Sequence, residues 1–221
     1  MYISDIIKNK KLTFSLEIFP PKKDGSIDTI YKTLEELAPI KPDYISVTYG
    51  AGGNSADNST CEIATIIKER YGIEPLVHLT CINSDKAQVD ATLDFLEEKG
   101  ISNILALRGD RNPDMPPKTD FTYASDLTEY IMARGGFDVA GACYPECHPE
   151  AISMDIDIRN LKTKVEAGAT HLVSQLFFDN NDFYNFMYKL RDNGINVPVQ
   201  AGIMPVTNKK QIERMVSMCG A

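Results

Sequence analysis

The sequence predicts an α/β fold, a (β/α)₈ TIM barrel of which seven βα units are evident. Three observations carry that reading. Seven short apolar runs alternate strictly with seven helix-patterned stretches, which implies a parallel sheet with right-handed crossovers. No shift in composition and no linker divides the 221 residues, so one domain over residues 1–221 is expected. Polar residues also stand at or near the C-terminal end of nearly every strand: Glu17, Thr48, His78, Arg108 with Asp110, Tyr144 and Gln175. In a barrel those ends converge on one mouth, whereas an open sheet would gather function at a single switch point. The eighth unit finds no counterpart. A C-terminally incomplete barrel is therefore expected, either truncated or closed by another segment or chain.

Residues 2–8 read as a short lead-in helix. Phe14 to Phe19 is a strand with Glu17 inside an apolar run, ended by Pro20-Pro21, since proline supplies no ladder donor. The helix from Ser26 to Ala38 carries Ile27, Ile30, Leu34 and Leu37 on one face. Tyr44 to Thr48 is the second strand, closing in Tyr49-Gly50-Ala51-Gly52-Gly53, and a helix follows from Asp57 to Tyr71. Glu74 to Leu79 is the third strand, with a helix from Ser84 to Glu98 begun by a serine cap. Asn103 to Leu107 is an apolar strand that ends abruptly in Arg108-Gly109-Asp110, charges too costly to bury unpaired. A proline-rich loop leads to a helix from Tyr123 to Arg134. Asp138 to Ala142 is the fifth strand, and the helix from Met154 to Ala167 is closed by Gly168. His171 to Ser174 and Val199 to Ile203 are the last strands, with helices from Asn181 to Asp192 and Asn208 to Met218.

Charge and composition exclude several functions. A net charge of -8 and a pI near 4.9 argue against nucleic acid as a general partner. No apolar run approaches a membrane span, and the first residues lack the order of a signal peptide, so a cytoplasmic protein is expected. The five cysteines are scattered and odd in number, unlike a secreted disulfide framework. Cys143, Cys147 and His148 lack a second ligand pair with zinc spacing, so no metal is expected. Gly50-Ala51-Gly52-Gly53 lacks the GK[ST] of a phosphate loop, and no GxGxxG follows a strand.

Two constellations remain. A carboxylate within a strand, as at Glu17, is either exposed or paired with a lysine such as Lys22, or it projects into the mouth. In the second case desolvation raises its pKa and suits it to general-acid work. Asp157, Asn160 and Lys164 share one helix face beside the apolar Ile158, Leu161 and Val165. They form either a solvated face or a groove edge offering hydrogen bonds and one cation to an anionic ligand, with His148 on the preceding loop.

Seven segments, in order, resemble the methylenetetrahydrofolate reductase family. They are Leu16-Glu17-Ile18-Phe19-Pro20-Pro21, Ser46-Val47-Thr48-Tyr49-Gly50-Ala51, His78-Leu79-Thr80-Cys81, Leu107-Arg108-Gly109-Asp110, Tyr123-Ala124-Ser125-Asp126-Leu127, Tyr144-Pro145-Glu146-Cys147-His148-Pro149-Glu150-Ala151 and Gln175-Leu176-Phe177-Phe178-Asp179. The resemblance is collinear from residue 14 to about 215. It implies a flavin-bearing barrel of one-carbon and methionine metabolism. Such an enzyme reduces 5,10-methylenetetrahydrofolate to 5-methyltetrahydrofolate by ping-pong hydride transfer through FAD. The electron donor would be NAD(P)H or a reduced donor protein, and a homo-oligomer or partner subunit is compatible with it.

Carried over by motif, Glu17 is the acid that protonates the folate so that its five-membered ring opens to an iminium. Asp110 is the carboxylate near both flavin and pterin, stabilising that cation and tuning the cofactor. Thr48, Tyr49, Ala51, His78, Arg108, Gly109, Asp110, Ala124, Tyr144, His148, Asp157, Asn160 and Lys164 match flavin-contacting positions. Glu17, Asp110, Gln175, Gln211 and Met215 match substrate-contacting ones. Met215 stands where the family has a phenylalanine that packs on substrate, and it offers no flat stacking face. Thr163 replaces a basic residue common beside the flavin diphosphate. The alternative reading is a truncated or non-catalytic flavin-binding barrel subunit that needs a partner for activity.

Overall fold

The computed structural model describes residues 1–21, 25–49, 59–110 and 118–219. Helix α1 (Ile3–Asn9) precedes seven βα units: β1 (Ser15–Ile18) with α2 (Ile27–Leu37), β2 (Tyr44–Val47) with α3 (Ser59–Tyr71), β3 (Glu74–Thr80) with α4 (Lys86–Glu98), β4 (Asn103–Leu107) with α5 (Ala124–Arg134), β5 (Asp138–Cys143) with α6 (Met154–Glu166), β6 (His171–Ser174) with α7 (Asn180–Asp192), and β7 (Val199–Gln200) with α8 (Lys209–Cys219). The strands are parallel and follow sheet order β1-β2-β3-β4-β5-β6-β7. Sequential parallel order with a helix after each strand is the topology of a TIM-barrel-like α/β fold with seven βα units. No described helix is long and apolar enough to cross a membrane. Two compact units divide the chain, Met1–Val139 and Ala140–Ala221.

In the first unit the strands sort their side chains cleanly by face. Leu16, Ile18, Ile45, Val47, Val77, Leu79, Ile104 and Ala106 belong to one core, packed with Leu34, Ile63, Ile67, Leu93, Leu96, Leu127 and Ile131 from the helices. Successive strand residues point to opposite faces, so Glu17, Ser46 and His78 fall on the other one. Alignment across the strands follows from register, with Glu17 opposite Ser46 and Ser46 opposite Leu76, two residues before His78. Helix α1 is fastened to the start of the sheet, where the Ile3 N–H donates to Asn103 Oδ1 (2.9 Å) and the Ser4 N–H to Asp138 Oδ2 (2.7 Å). Both acceptors are buried, and each satisfies a helix N–H that has no partner within the helix.

The second unit has its own core, in which Cys143, Ile158, Leu161, Leu172, Phe186, Leu190 and Ile195 join α6 and α7 to the strands. Two local expectations are corrected. The cap of α4 is Asp85, not Ser84: Asp85 accepts from the Gln88 N–H while the Gln88 side chain accepts from the Asp85 N–H. The Ser84 hydroxyl instead donates back to Thr80 O. The last strand stops at Gln200, because the Gly202 N–H donates to Ser174 Oγ (2.9 Å) rather than extending a backbone ladder.

Candidate active site

Glu17 sits on β1 with its side chain 43% exposed, and its Oε2 lies 3.6 Å from Nε2 of the buried His78 on β3. Between them on β2, the buried Ser46 places its Oγ 2.7 Å from the same Nε2. Burial raises the Glu17 pKa above the ordinary carboxylate value, and a hydrogen bond from Ser46 opposes the rise. Burial also pushes the His78 pKa down to about 4. His78 is therefore a neutral imidazole at neutral pH, while Glu17 is shifted toward holding its proton.

The low His78 pKa has a consequence for stability. Below pH 6.5 the unfolded chain protonates this histidine and the fold does not, so stability is lost as pH falls from about 6.5 to about 4. A shift of that size is worth about 3 kcal/mol. Glu17 acts in the opposite sense, because a raised pKa lets protonation favour the fold. Urea unfolding at pH 7 and pH 4 should show a larger acid loss in the wild type than in His78→Gln, by about 3 kcal/mol. Equal losses would show that His78 is protonated in the fold.

The remaining candidates of this unit stand at strand ends and the helix that follows. The Thr48 N–H donates to Ile18 O (3.0 Å), and Thr48 O accepts from the Thr60 hydroxyl (3.0 Å), which pins the end of β2. Tyr49 is half-buried beside it, and Ala51 lies outside the described residues. Arg108 O accepts from the Ile82 N–H (2.8 Å), and the Arg108 Nε–H donates to Gly109 O (3.1 Å). Gly109 takes φ +86° against Thr80, whose Cβ a methyl there would meet at 3.0 Å, so glycine is required at this turn. Asp110 follows, exposed to solvent, and Ala124 is buried at the first turn of α5.

In the second unit, the Tyr144 and His148 rings meet edge to face at 4.6 Å. The His148 N–H donates to Asp157 Oδ2 (2.9 Å), and His148 Nδ1 accepts from the Glu150 N–H (3.1 Å). Tyr144, His148 and Asp157 thus form one connected group. Lys164 runs across Gly141 of β5, where an added methyl would come within 2.6 Å of its Cδ, and its enclosed ammonium donates to Ala142 O (2.6 Å). Burial lowers the Lys164 pKa, against the nearby Cys143 and Asp157. The expected helix stripe therefore divides: Asp157 and Lys164 are half-buried while Asn160 is exposed. Gln175 folds its side chain back onto the next residue, Oε1 accepting from the Leu176 N–H (2.9 Å). Met215 is half-buried on α8, and the Gln211 side chain lies outside the described residues.

Residues 2–221 match the family model described as Methylenetetrahydrofolate reductase. The chain belongs to the methylenetetrahydrofolate reductase family. Among its relatives, the 5,10-methylenetetrahydrofolate reductase of Pectobacterium carotovorum subsp. carotovorum is 39% identical, over 94% of this chain and 69% of the relative. Methylenetetrahydrofolate reductase (NADH) 1 of Arabidopsis thaliana is 35% identical over 98% of this chain, which spans only 39% of the plant protein. A solved Clostridium thermocellum protein that binds two copies of 5-methyl-5,6,7,8-tetrahydrofolic acid superposes with a TM-score of 0.63 over 99% of this chain and 75% of its own. At 14% identity that likeness speaks to the fold alone.

Membership in the methylenetetrahydrofolate reductase family makes the chain an oxidoreductase of folate one-carbon metabolism. Two residues with a part in this geometry escaped the sequence reading. Ser46 is a lone serine among apolar strand residues, and nothing local announces that it faces Glu17. Gly141 is one glycine in Asp138–Cys143, and the crossing of Lys164, with Leu172 at 3.2 Å from the same added methyl, explains it.

Proposed function

We propose that the chain reduces 5,10-methylenetetrahydrofolate to 5-methyltetrahydrofolate, with FAD as the hydride carrier and NAD(P)H or a reduced donor protein as the electron source, in a ping-pong sequence. The observation that carries the reading is the Glu17 carboxyl, whose proton affinity is raised by burial within a chain of this family. Bound FAD would take hydride from the donor and pass it to the folate.

The donor set suits that cofactor. Lys164 is half-buried and brings an ammonium with three N–H groups, of which one serves Ala142 O, leaving capacity for a phosphate oxygen. Asn160 offers an exposed amide, Asp157 a carboxylate able to take a ribose hydroxyl, and Tyr144 with His148 an aromatic edge. In the first unit Thr48, Tyr49, His78, Arg108, Gly109 and Ala124 are the positions proposed to meet the flavin.

Glu17 holds the proton that the folate nitrogen needs for ring opening, and burial, by raising its pKa, favours the protonated form. His78 stays neutral beside it, so it does not compete by drawing Glu17 into an ion pair. Asp110 sets a negative charge toward the cationic iminium that ring opening creates. Gln175, Gln211 and Met215 are the proposed folate contacts. The free thiols Cys61, Cys81, Cys143 and Cys147 suit a reducing compartment, and the cytoplasm is the proposed location.

The test is a flavin spectrum and a turnover assay on the purified chain. Flavin absorbance bands and NADH-dependent formation of 5-methyltetrahydrofolate are expected. Protein that takes up no FAD would overturn the cofactor reading. Yellow protein that converts no folate with any donor would favour a flavin-binding subunit that works with a partner.

A further inference from the structure

We propose that Ser46 is a positioning residue that holds the Glu17 carboxylate, and that His78 orients the Ser46 hydroxyl by donating its Nε2–H to Ser46 Oγ. The inference rests on the reading of Glu17 as proton donor.

The geometry is set by the sheet. Glu17 and Ser46 are direct register partners on β1 and β2, and His78 lies on the same face of β3. The Ser46 oxygen is 2.7 Å from His78 Nε2, and His78 Nε2 is 3.6 Å from Glu17 Oε2. Ser46 also makes a hydrogen bond to the Glu17 carboxyl, so it bridges a buried ring and a partly exposed carboxyl. A serine hydroxyl has a single hydrogen to give. If His78 carried its proton on Nδ1, Ser46 would have to donate that hydrogen to Nε2 and would turn lone pairs toward an anion. With the proton on Nε2, the ring donates to Ser46 and leaves the hydroxyl hydrogen for Glu17. The second ordering satisfies all three groups when Glu17 is ionised.

A held carboxylate matters because Glu17 keeps 43% of its side chain in solvent and has free rotamers to lose. Proton transfer needs the acid within hydrogen-bond reach of the folate nitrogen, so a fixed anchor on one carboxylate oxygen leaves the other to do the chemistry. Among the described residues, the titratable groups that sense Glu17 are His78 from β3 and Tyr44 from β2. Burial pushes the Tyr44 phenol up to about 12, so it stays neutral throughout the range in which Glu17 titrates.

The experiment is an NMR titration of the full chain carrying ¹³C-labelled glutamate and ¹⁵N-labelled histidine, in the wild type, Ser46→Ala and Ser46→Thr. Losing a bond that favours the ionised form should move the Glu17 midpoint up by about one pH unit in Ser46→Ala. Ser46→Thr, which keeps the hydroxyl, should return it toward the wild-type value. Above the midpoint, His78 Nε2 in the wild type should show the shift of a protonated ring nitrogen, a signal readily assigned among three histidines. The basic limb of the folate half-reaction should move with the carboxyl midpoint.

An unmoved midpoint in Ser46→Ala would overturn the proposal, as would an unprotonated Nε2 above the midpoint. The histidine measurement needs no variant, so it decides even if Ser46→Ala fails to fold. A moved midpoint combined with normal folate turnover in Glu17→Gln would uphold the Ser46 bond and remove the catalytic role of Glu17 instead.

Discussion

Glu17→Gln is expected to lower folate reduction by about 10²–10⁴-fold while donor-driven flavin reduction stays close to wild type. Glutamine keeps the length and planarity of the side chain, and its carbonyl can still accept from Ser46. It has no proton to deliver at the folate nitrogen. The raised pKa of Glu17 is what the substitution removes: burial favours the protonated form, and an amide has no such form to favour. Separating the two half-reactions is therefore the decisive design. Stopped-flow absorbance at the flavin band would follow reduction by NADH, and reoxidation by 5,10-methylenetetrahydrofolate, on one sample. Reoxidation within a few-fold of wild type would take Glu17 out of the proton-donor role.

Lys164→Met is expected to weaken flavin binding by about 10–100-fold and to change the stability of the flavin-free protein by less than about 1 kcal/mol. Two effects nearly cancel in the empty fold. Methionine removes a cation that burial already disfavours, and it also removes the N–H that Ala142 O accepts. Its unbranched chain can follow the same path across Gly141, where a β-carbon would collide with the lysine stem. What methionine cannot supply is charge for a diphosphate. Urea unfolding of the flavin-free variant and a fluorescence titration with FAD separate the two quantities. A loss of several kcal/mol with unchanged flavin affinity would make Lys164 a structural residue.

The alternation of strands and helices was legible because each strand is short, apolar and followed by helical spacing. Asn103–Leu107 and His171–Ser174 have the same bounds in sequence and structure. The structure departs from the sequence pattern where a side chain competes with the backbone. Ser84 and Asp85 are both good caps, and the choice fell to Asp85 because Gln88 stands three residues on to complete the reciprocal pair. The strand expected over Val199–Ile203 ends early because the Ser174 hydroxyl claims the Gly202 N–H. Within the site, Glu17 was legible as an anomaly, a carboxylate where strands avoid one. Ser46 was not, since its meaning depends on register between β1, β2 and β3, which is a non-local property. Helical spacing places Asp157, Asn160 and Lys164 on one surface. The fold instead draws the two ends inward and leaves Asn160 in solvent, a distinction that helical spacing alone does not contain.

The two-faced strands of the first unit also bear on substitution. Leu16, Ile18, Ile45, Val47, Val77 and Leu79 anchor the helices, whereas Glu17, Ser46 and His78 occupy the intervening positions. Core-packing positions and the polar positions thus alternate along the same strands. Exchange of the exposed Glu17 for another polar residue would leave the apolar positions of β1 in place, so the proposed chemistry is open to change on a strand whose packing is kept.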